Sequence, residues 1–136
     1  MPIEKSWLQP DRVIFQRYVG TVTLEDLDES QRLSTSWLET GTPPIHHVVD
    51  MSTVEEYPKS LSQFKNTLYS IRDPRLGWVI IIADRPVVRF LASIIAQIVV
   101  PQGRLKLFDT LDAGLRFLAE QDSTLAPLMP ETPQSL

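Results

Sequence analysis

The side chains best suited to chemistry follow predicted β-strands. Asp50 and Ser52 come after the apolar run of residues 45–49, and Asp84 and Arg85 come after a later apolar run. Because parallel strands end at one edge of a sheet, we expect these side chains to share a rim. Four more charged residues are predicted on that rim: Glu55, Glu56, Arg89 and Asp109. Such carboxylates could bind a small ligand or act as acid and base. They could equally cap helices and loops, so we predict no enzyme and no catalytic residue.

Ser60 has two interpretations. Residues 60–63 match the S-x-x-Q capping box, in which the serine fixes the start of a helix. A helix N-terminus also stabilises a phosphoryl group, because its free amides and its dipole favour an anion. Ser60 is therefore either a structural cap or a switch.

The two histidines, His46 and His47, are adjacent on a predicted strand. Their side chains point to opposite faces of the sheet and cannot bind one metal ion as a pair. The chain has no cysteine, which excludes disulfides, thiolate metal ligands and a cysteine nucleophile. We predict no metal and no cofactor.

Composition and motifs exclude several functions. The nucleotide-binding patterns G-x-G-x-x-G and G-x-x-x-x-G-K-S/T and the G-x-S-x-G nucleophile motif are all absent. A formal net charge of −4 without a run of Lys and Arg argues against nucleic acid as a partner. Residues 87–100 are too short and too interrupted by polar side chains for a membrane span, and no apolar signal core begins the chain. We expect a cytoplasmic protein.

Hydrophobic periodicity predicts one α/β domain over residues 1–121 and a proline-punctuated tail over residues 122–136. The predicted order is β-β-α-β-α-β-α-β-α, a mostly parallel sheet of about five strands covered by four helices. The predicted strands are residues 5–8, 13–19, 45–49, 77–83 and 104–108, and the predicted helices are residues 24–39, 61–71 and 86–99 and a last one capped within residues 109–112. Residues 50–57 are predicted to be a polar loop.

Small residues interrupt the apolar faces of two predicted helices. Ser30 and Ser34 lie in the apolar half of the helix of residues 24–39, which indicates close packing on the sheet or contact with a ligand. Gly114 lies in the apolar stripe of the last helix and again indicates a close helix–sheet contact.

The helix of residues 86–99 is apolar over about 200°, about twice the arc needed to cover a sheet. Either its neighbours enclose it, or it buries a second face in a homodimer. The candidate dimer face consists of Val88, Leu91, Ile95 and Val99. The alternative is an apolar pocket beneath this helix that holds a small ligand.

The element order, together with residues 48–54, resembles the STAS domains, the fold of bacterial anti-sigma-factor antagonists. Asp50 and Ser52 match the family pattern, and an ungapped alignment places Ser60 at the family's phosphorylatable serine. The turn at residues 20–23 and the strand start at residues 76–79 are similar to a divergent branch of small bacterial STAS-like proteins. That branch is also compared with the CRAL-TRIO lipid-binding fold. The resemblance implies a regulatory protein partner, or alternatively an apolar ligand.

The sequence therefore predicts a non-enzymatic regulatory or protein-interaction module that forms a homodimer and binds an unknown regulatory protein. Its candidate interaction or switch residues are Asp50, Ser52, Ser60, Asp84 and Arg85. The alternative is a small-molecule or lipid-binding protein with its pocket beneath residues 87–99.

Overall fold

The computed structural model describes residues 2–58, 73–99 and 104–125, with residues 95–99 described by their backbone alone. Within these residues, five strands form one mixed sheet that three helices cover. The strands are β1 (Ile3–Gln9), β2 (Val13–Thr21), β3 (Ile45–Glu56), β4 (Leu76–Ile82) and β5 (Leu105–Phe108). The helices are α1 (Leu24–Thr40), α2 (Pro86–Val99) and α3 (Leu111–Gln121).

The spatial order of the strands follows the order of the chain, β1-β2-β3-β4-β5. β1 and β2 form an antiparallel hairpin, and the pairs β2/β3, β3/β4 and β4/β5 are parallel. Asp11 occupies the hairpin turn with φ at 68°, a left-handed conformation that Asp tolerates better than most residues. β3 therefore lies in the middle of the sheet.

Two apolar cores lie on opposite faces of the sheet. On one face, α1 and α2 pack on inward side chains that include Ile14, Ile45 and Val79. On the other face, α3 packs through Leu115 and Leu118 on its own set of strand residues. The structure thus has three layers, helices–sheet–helix.

Gly114 lets α3 lie directly on β4, as the sequence predicts. A Cβ at this position would come within 2.8 Å of both Ile80 Cγ2 and Ile82 Cδ1. Contacts that short do not occur between carbon atoms without displacement of one of them.

The helix starts follow local capping rules, with one correction. Thr23 forms a capping box with Asp26 at the start of α1. Asp109, which the sequence suggests as the cap of α3, does not cap it. Thr110 does so, since its Oγ1 accepts from Ala113 N at 3.2 Å, while Asp109 pairs with Arg89.

The predicted polar loop of residues 50–57 is wrong, because β3 continues to Glu56. β4 pairs with β3 as far as Asp50, whereas β2 pairs with it as far as Glu56. The second half of β3 therefore has a neighbour on one side alone, and its polar side chains reach solvent. The register shifts twice along this half, which marks bulges of the kind that re-aim side chains.

Two predictions fall outside the described residues: the helix of residues 61–71, which would be the fourth, and the tail beyond residue 125. Among the helices that the structure does describe, none is both long and apolar enough to cross a membrane.

Candidate functional site

Asp50 and Ser52 lie together at the first bulge of β3. The buried Asp50 carboxylate accepts from Ser52 N at 2.9 Å and Ser52 Oγ at 2.7 Å through Oδ1. Its Oδ2 accepts from Arg17 Nε at 3.2 Å. Both carboxylate oxygens are thus occupied in holding the bulge, which is a structural use of this Asp-x-Ser pattern.

Arg85 binds the edge of β3 that has no neighbouring strand beyond Asp50. Its guanidinium donates to Met51 O at 3.3 Å and to Val54 O, two carbonyls beyond the last residue that pairs with β4. A side chain thereby supplies donors where a neighbouring strand is missing. Asp84, next to it, is exposed. Of the predicted rim residues, Asp50 contacts Ser52 and Arg89 pairs with Asp109, while Asp50 and Arg85 both bind groups that hold β3.

The first turns of α2 expose two large apolar side chains. Val87 is 69% exposed and Phe90 is 68% exposed, and a spacing of three residues places them on one helix face. Val88, by contrast, is buried, and Leu91 is half-buried against the same core. The apolar surface that is open to a partner is therefore formed by Val87 and Phe90. The side chains of the other two candidate dimer residues, Ile95 and Val99, lie outside the described part.

A buried polar network lies beneath α1. Lys5 Nζ donates to Ser30 O at 2.7 Å and to Ser34 Oγ, and Ser30 Oγ donates to Gln16 Oε1 at 2.8 Å. We call Lys5, Gln16, Ser30, Ser34 and His47 the α1 polar cluster. The two serines in the apolar half of α1 thus bind polar groups of the sheet, in addition to letting the helix pack closely.

The bases of the α1 polar cluster are electrostatically unusual. Burial lowers the pKa of Lys5 from 10.5 to about 7. Burial, with a smaller contribution from the nearby Lys5 charge, lowers the pKa of His47 to about 3. In the described part of the chain, His47 Nε2 is buried without a hydrogen-bond partner. Burial also raises the pKa of the neighbouring Tyr18 to about 12. His47 and Tyr18 are therefore uncharged at neutral pH, whereas Lys5 is about half unprotonated there.

A small cavity opens beside Lys5, between β1 and α1. Its volume is about 70 Å³, and its lining residues are Pro2, Ile3, Lys5, Asp26, Glu29, Ser30 and Leu33. Glu29 and Leu33 are exposed, so the cavity opens to solvent on the helix side. Perturbed bases beside a cavity are a feature of binding and catalytic sites.

His46 lies on the opposite face of the sheet and has partners at both ring nitrogens. Its Nδ1 accepts from Trp78 N at 2.9 Å, so its Nε2 carries the proton and donates to Asp122 Oδ2 at 2.9 Å. Arg12 Nη2 donates to the same oxygen at 2.8 Å. We call His46, Asp122, Arg12 and the Trp78 amide the His46 clasp. It binds the residue after α3 to the sheet.

The protonation states in the His46 clasp agree with its hydrogen bonds. Burial lowers the pKa of His46, against the opposing influence of Asp122. Hydrogen bonds from His46 and Thr124 hold the pKa of the Asp122 carboxyl well below its usual range. Hence a neutral imidazole donates to a carboxylate, and no proton needs to move for the clasp to form.

The two histidines thus point to opposite faces, as predicted. No group of three or more His, Asp and Glu side chains is arranged to hold a metal ion within the described ranges.

No known protein-family model matches the chain, and no curated protein matches it. Solved structures do match. One is the crystal structure of an uncharacterised protein of the DUF3478 family with a SpoIIAA-like fold, from Shewanella loihica PV-4. The match has a TM-score of 0.62 and 20% sequence identity, and it covers 85% of this chain and 91% of that one. The chain therefore has a SpoIIAA-like, STAS-like α/β fold, which confirms the resemblance at the level of the fold.

Proposed function

We propose that the protein is a non-enzymatic regulatory module that associates with a second copy of itself through the start of α2. The observation that carries this proposal is the exposed apolar pair Val87 and Phe90 on one helix face. Exposed apolar side chains of this size lose unfavourable contact with water when a partner covers them. The STAS-like fold, seen in a solved relative of uncharacterised role, is compatible with a binding module.

The charges beside this surface favour a second copy as the partner. Asp84 and Arg85 precede α2, are both exposed and carry opposite charges. A two-fold axis near Val87 brings the Asp84 of one copy towards the Arg85 of the other, so the patch is complementary to itself. The non-enzymatic part of the proposal is supported by the use of Asp50, because both of its carboxylate oxygens already accept hydrogen bonds within the fold.

Light scattering after size-exclusion chromatography tests self-association. We expect the wild type at 100 μM to elute at twice the monomer mass of 15.5 kDa. The double substitution Val87→Ser, Phe90→Ser should elute as a monomer. Leu33→Ser is the matched control, because Leu33 is another large exposed apolar residue, 44% exposed on α1. A wild type that stays monomeric, or a control that dissociates equally, contradicts the proposal.

The regulatory input in this proposal is phosphorylation of Ser60, which lies outside the described residues. Its support is the resemblance to anti-sigma-factor antagonists, whose phosphorylatable serine aligns with Ser60. Mass spectrometry of the protein purified from its native cells under varied growth conditions should find phosphate on Ser60. If Ser60 is never modified, the switch is absent and self-association stands alone.

The alternative function is binding of a small molecule or lipid in an apolar pocket beneath α2. Val88 and Ala92 pack into the core on this side of the helix, so their contacts do not favour it. Native mass spectrometry of freshly purified protein separates the two functions. A dimer without added mass supports the interaction module, whereas a co-purifying apolar ligand supports the alternative.

A further inference from the structure

We propose that Lys5 is the reactive amine of a binding site for a small aldehyde or ketone, located in the cavity between β1 and α1. This inference does not depend on self-association, because the cavity lies beneath α1 and the proposed contact is at the start of α2. It concerns a covalent and reversible binding event at one side chain.

The hydrogen bonds of Lys5 suit an uncharged amine. A neutral amine has two N–H groups, and the two acceptors of Nζ, Ser30 O and Ser34 Oγ, use both. A protonated amine has three N–H groups, and no third acceptor of Nζ is found in residues 2–58, 73–99 or 104–125. No carboxylate of those residues lies within ion-pair distance of Nζ either. With both N–H groups bound, the lone pair of the nitrogen remains for a reaction.

The surroundings of Lys5 also favour its uncharged form. His47 lies near enough for the Lys5 charge to lower the pKa of the imidazole, and on the same face of the sheet His47 is buried and Lys5 is half-buried. With a pKa of about 7, Lys5 is about half unprotonated at neutral pH. An ordinary lysine, with a pKa of about 10.4, has roughly one amine in 2,500 unprotonated there. Lys106, an exposed lysine of β5, is the reference residue within this chain.

The cavity limits the size of the ligand. A volume of about 70 Å³ is about half that of an engineered cavity that accommodates benzene. It therefore holds about three or four non-hydrogen atoms. Asp26 and Glu29 in its lining favour a cationic product and disfavour a ligand that carries a carboxylate. The matching class is a short, uncharged carbonyl compound.

The reaction is the formation of an imine and balances without an oxidant or reductant. The Lys5 lone pair attacks the carbonyl carbon and forms a C–N bond. The carbonyl oxygen then leaves as water together with both hydrogens of the amine, and a C=N bond remains. Protonation of the imine gives an iminium with one N–H, which one of the two serine acceptors can still bind. Water reverses the sequence.

Reductive trapping tests this site in the intact protein. We would incubate the wild type with acetaldehyde and cyanoborohydride at pH 7 and quantify the modification of each lysine by peptide mapping. Lys5 should be modified at least tenfold faster than Lys106, with a rate that is half-maximal near pH 7. Benzaldehyde, which is too large for the cavity, should show no preference for Lys5. Equal rates at Lys5 and Lys106, or a Lys5 rate that still rises tenfold per pH unit above pH 8, would overturn the proposal.

Two controls show that the cavity produces the selectivity. In 8 M urea the preference of acetaldehyde for Lys5 should vanish, because unfolding restores ordinary solvation of the amine. Lys5→Met removes the fast-reacting position, so the fast phase should disappear while Lys106 keeps its rate. A preference for Lys5 that persists in urea assigns the reactivity to local sequence and contradicts the cavity site.

Discussion

The α1 polar cluster and the His46 clasp are built around adjacent residues of one strand, yet they differ in how completely their polar groups are paired. In the His46 clasp, Trp78 N and Asp122 Oδ2 partner the two ring nitrogens, each at 2.9 Å. In the α1 polar cluster, by contrast, His47 Nε2 is buried without a partner among the described residues. A fully paired buried network stabilises a fold, whereas an incompletely paired one costs stability and retains unused chemistry.

This difference separates a structural role from a functional one. The His46 clasp joins the end of α3 to β2 and β3 and has no polar group left for a ligand. The α1 polar cluster borders a cavity, and burial lowers the pKa of its lysine to about 7 and that of its histidine to about 3. We therefore expect substitutions in the clasp to change the free energy of unfolding most, and substitutions in the cluster to change reactivity and pH dependence.

The strongest test of this comparison replaces each histidine with leucine. His46→Leu leaves the Trp78 amide without its acceptor and Asp122 without one of its donors, and should lower the free energy of unfolding by about 2–4 kcal/mol. His47→Leu removes an unpaired buried nitrogen and should change it by less than about 1 kcal/mol. Urea denaturation followed by tryptophan fluorescence measures both. Equal losses would mean that the two clusters do not differ in pairing.

A second substitution removes the acid of the clasp. Asp122→Ala should cost about 2 kcal/mol, because His46 and Arg12 both lose a charged acceptor in a poorly hydrated place. Asp112→Ala is the matched control, since Asp112 pairs with Arg116 on the surface of α3. Loss of such an exposed pair should cost less than about 0.5 kcal/mol. A cost at Asp122 no larger than that at Asp112 would show that the clasp contributes little.

Gly77 sharpens the comparison because it makes room for the His46 ring. A Cβ at residue 77 would lie 2.6 Å from both Cε1 and Nδ1 of His46. Gly77→Ala should therefore lower the free energy of unfolding by about 1–2 kcal/mol, although alanine is usually better than glycine in a strand. In the double variant with His46→Leu the two costs should not add, since the flexible leucine can move aside. If the two losses in free energy of unfolding do add, the strain caused by Gly77→Ala does not come from contact with the His46 ring.

His47 of the α1 polar cluster should make the free energy of unfolding depend on pH, in the same direction as His46, whose pKa burial also lowers. The pKa of His47 is about 3 in the folded protein and about 6.5 when unfolded, so between these values the unfolded chain binds the extra proton. Stability therefore falls as the pH drops from 6.5, by up to about 1.4 kcal/mol per pH unit from this group. Unfolding measured between pH 4.5 and 6.5 should show a shallower slope for His47→Leu. An unchanged slope would mean that His47 is not the group responsible.

Sequence patterns predicted the fold well where burial imposes a period. The alternation of β3 placed His46 and His47 on opposite faces, and the small Gly114 within an apolar stripe indicated the contact of α3 with the sheet. The second half of β3 was predicted to be a loop, because its residues are polar. This half pairs with β2 on one side, and Arg85 donates to its carbonyls on the other. Its side chains therefore do not alternate between apolar and polar, and the sequence contains no strand pattern there.

The site was harder to predict because its partners are distant in the chain. Lys5 occupies an inward position of β1 between Ile3 and Trp7, and this position, together with Ser30 and Ser34 in the apolar half of α1, was an available signal. It was missed because the predicted strand began at Lys5. Asp122 was predicted to begin a tail, and nothing local to it indicates a contact with His46, 76 residues away.

The charge state of Lys5 is the most direct measurement of the central claim, that burial in the α1 polar cluster lowers the pKa of an amine beside a cavity. An NMR titration of ¹³C-labelled lysine side chains follows the Cε resonance of each lysine between pH 5 and 11. We predict a midpoint near pH 7 for Lys5, well below the value of about 10.4 that is typical of lysine. A Lys5 midpoint above pH 9.5 would show that the amine is charged and solvated at neutral pH, and would contradict the account.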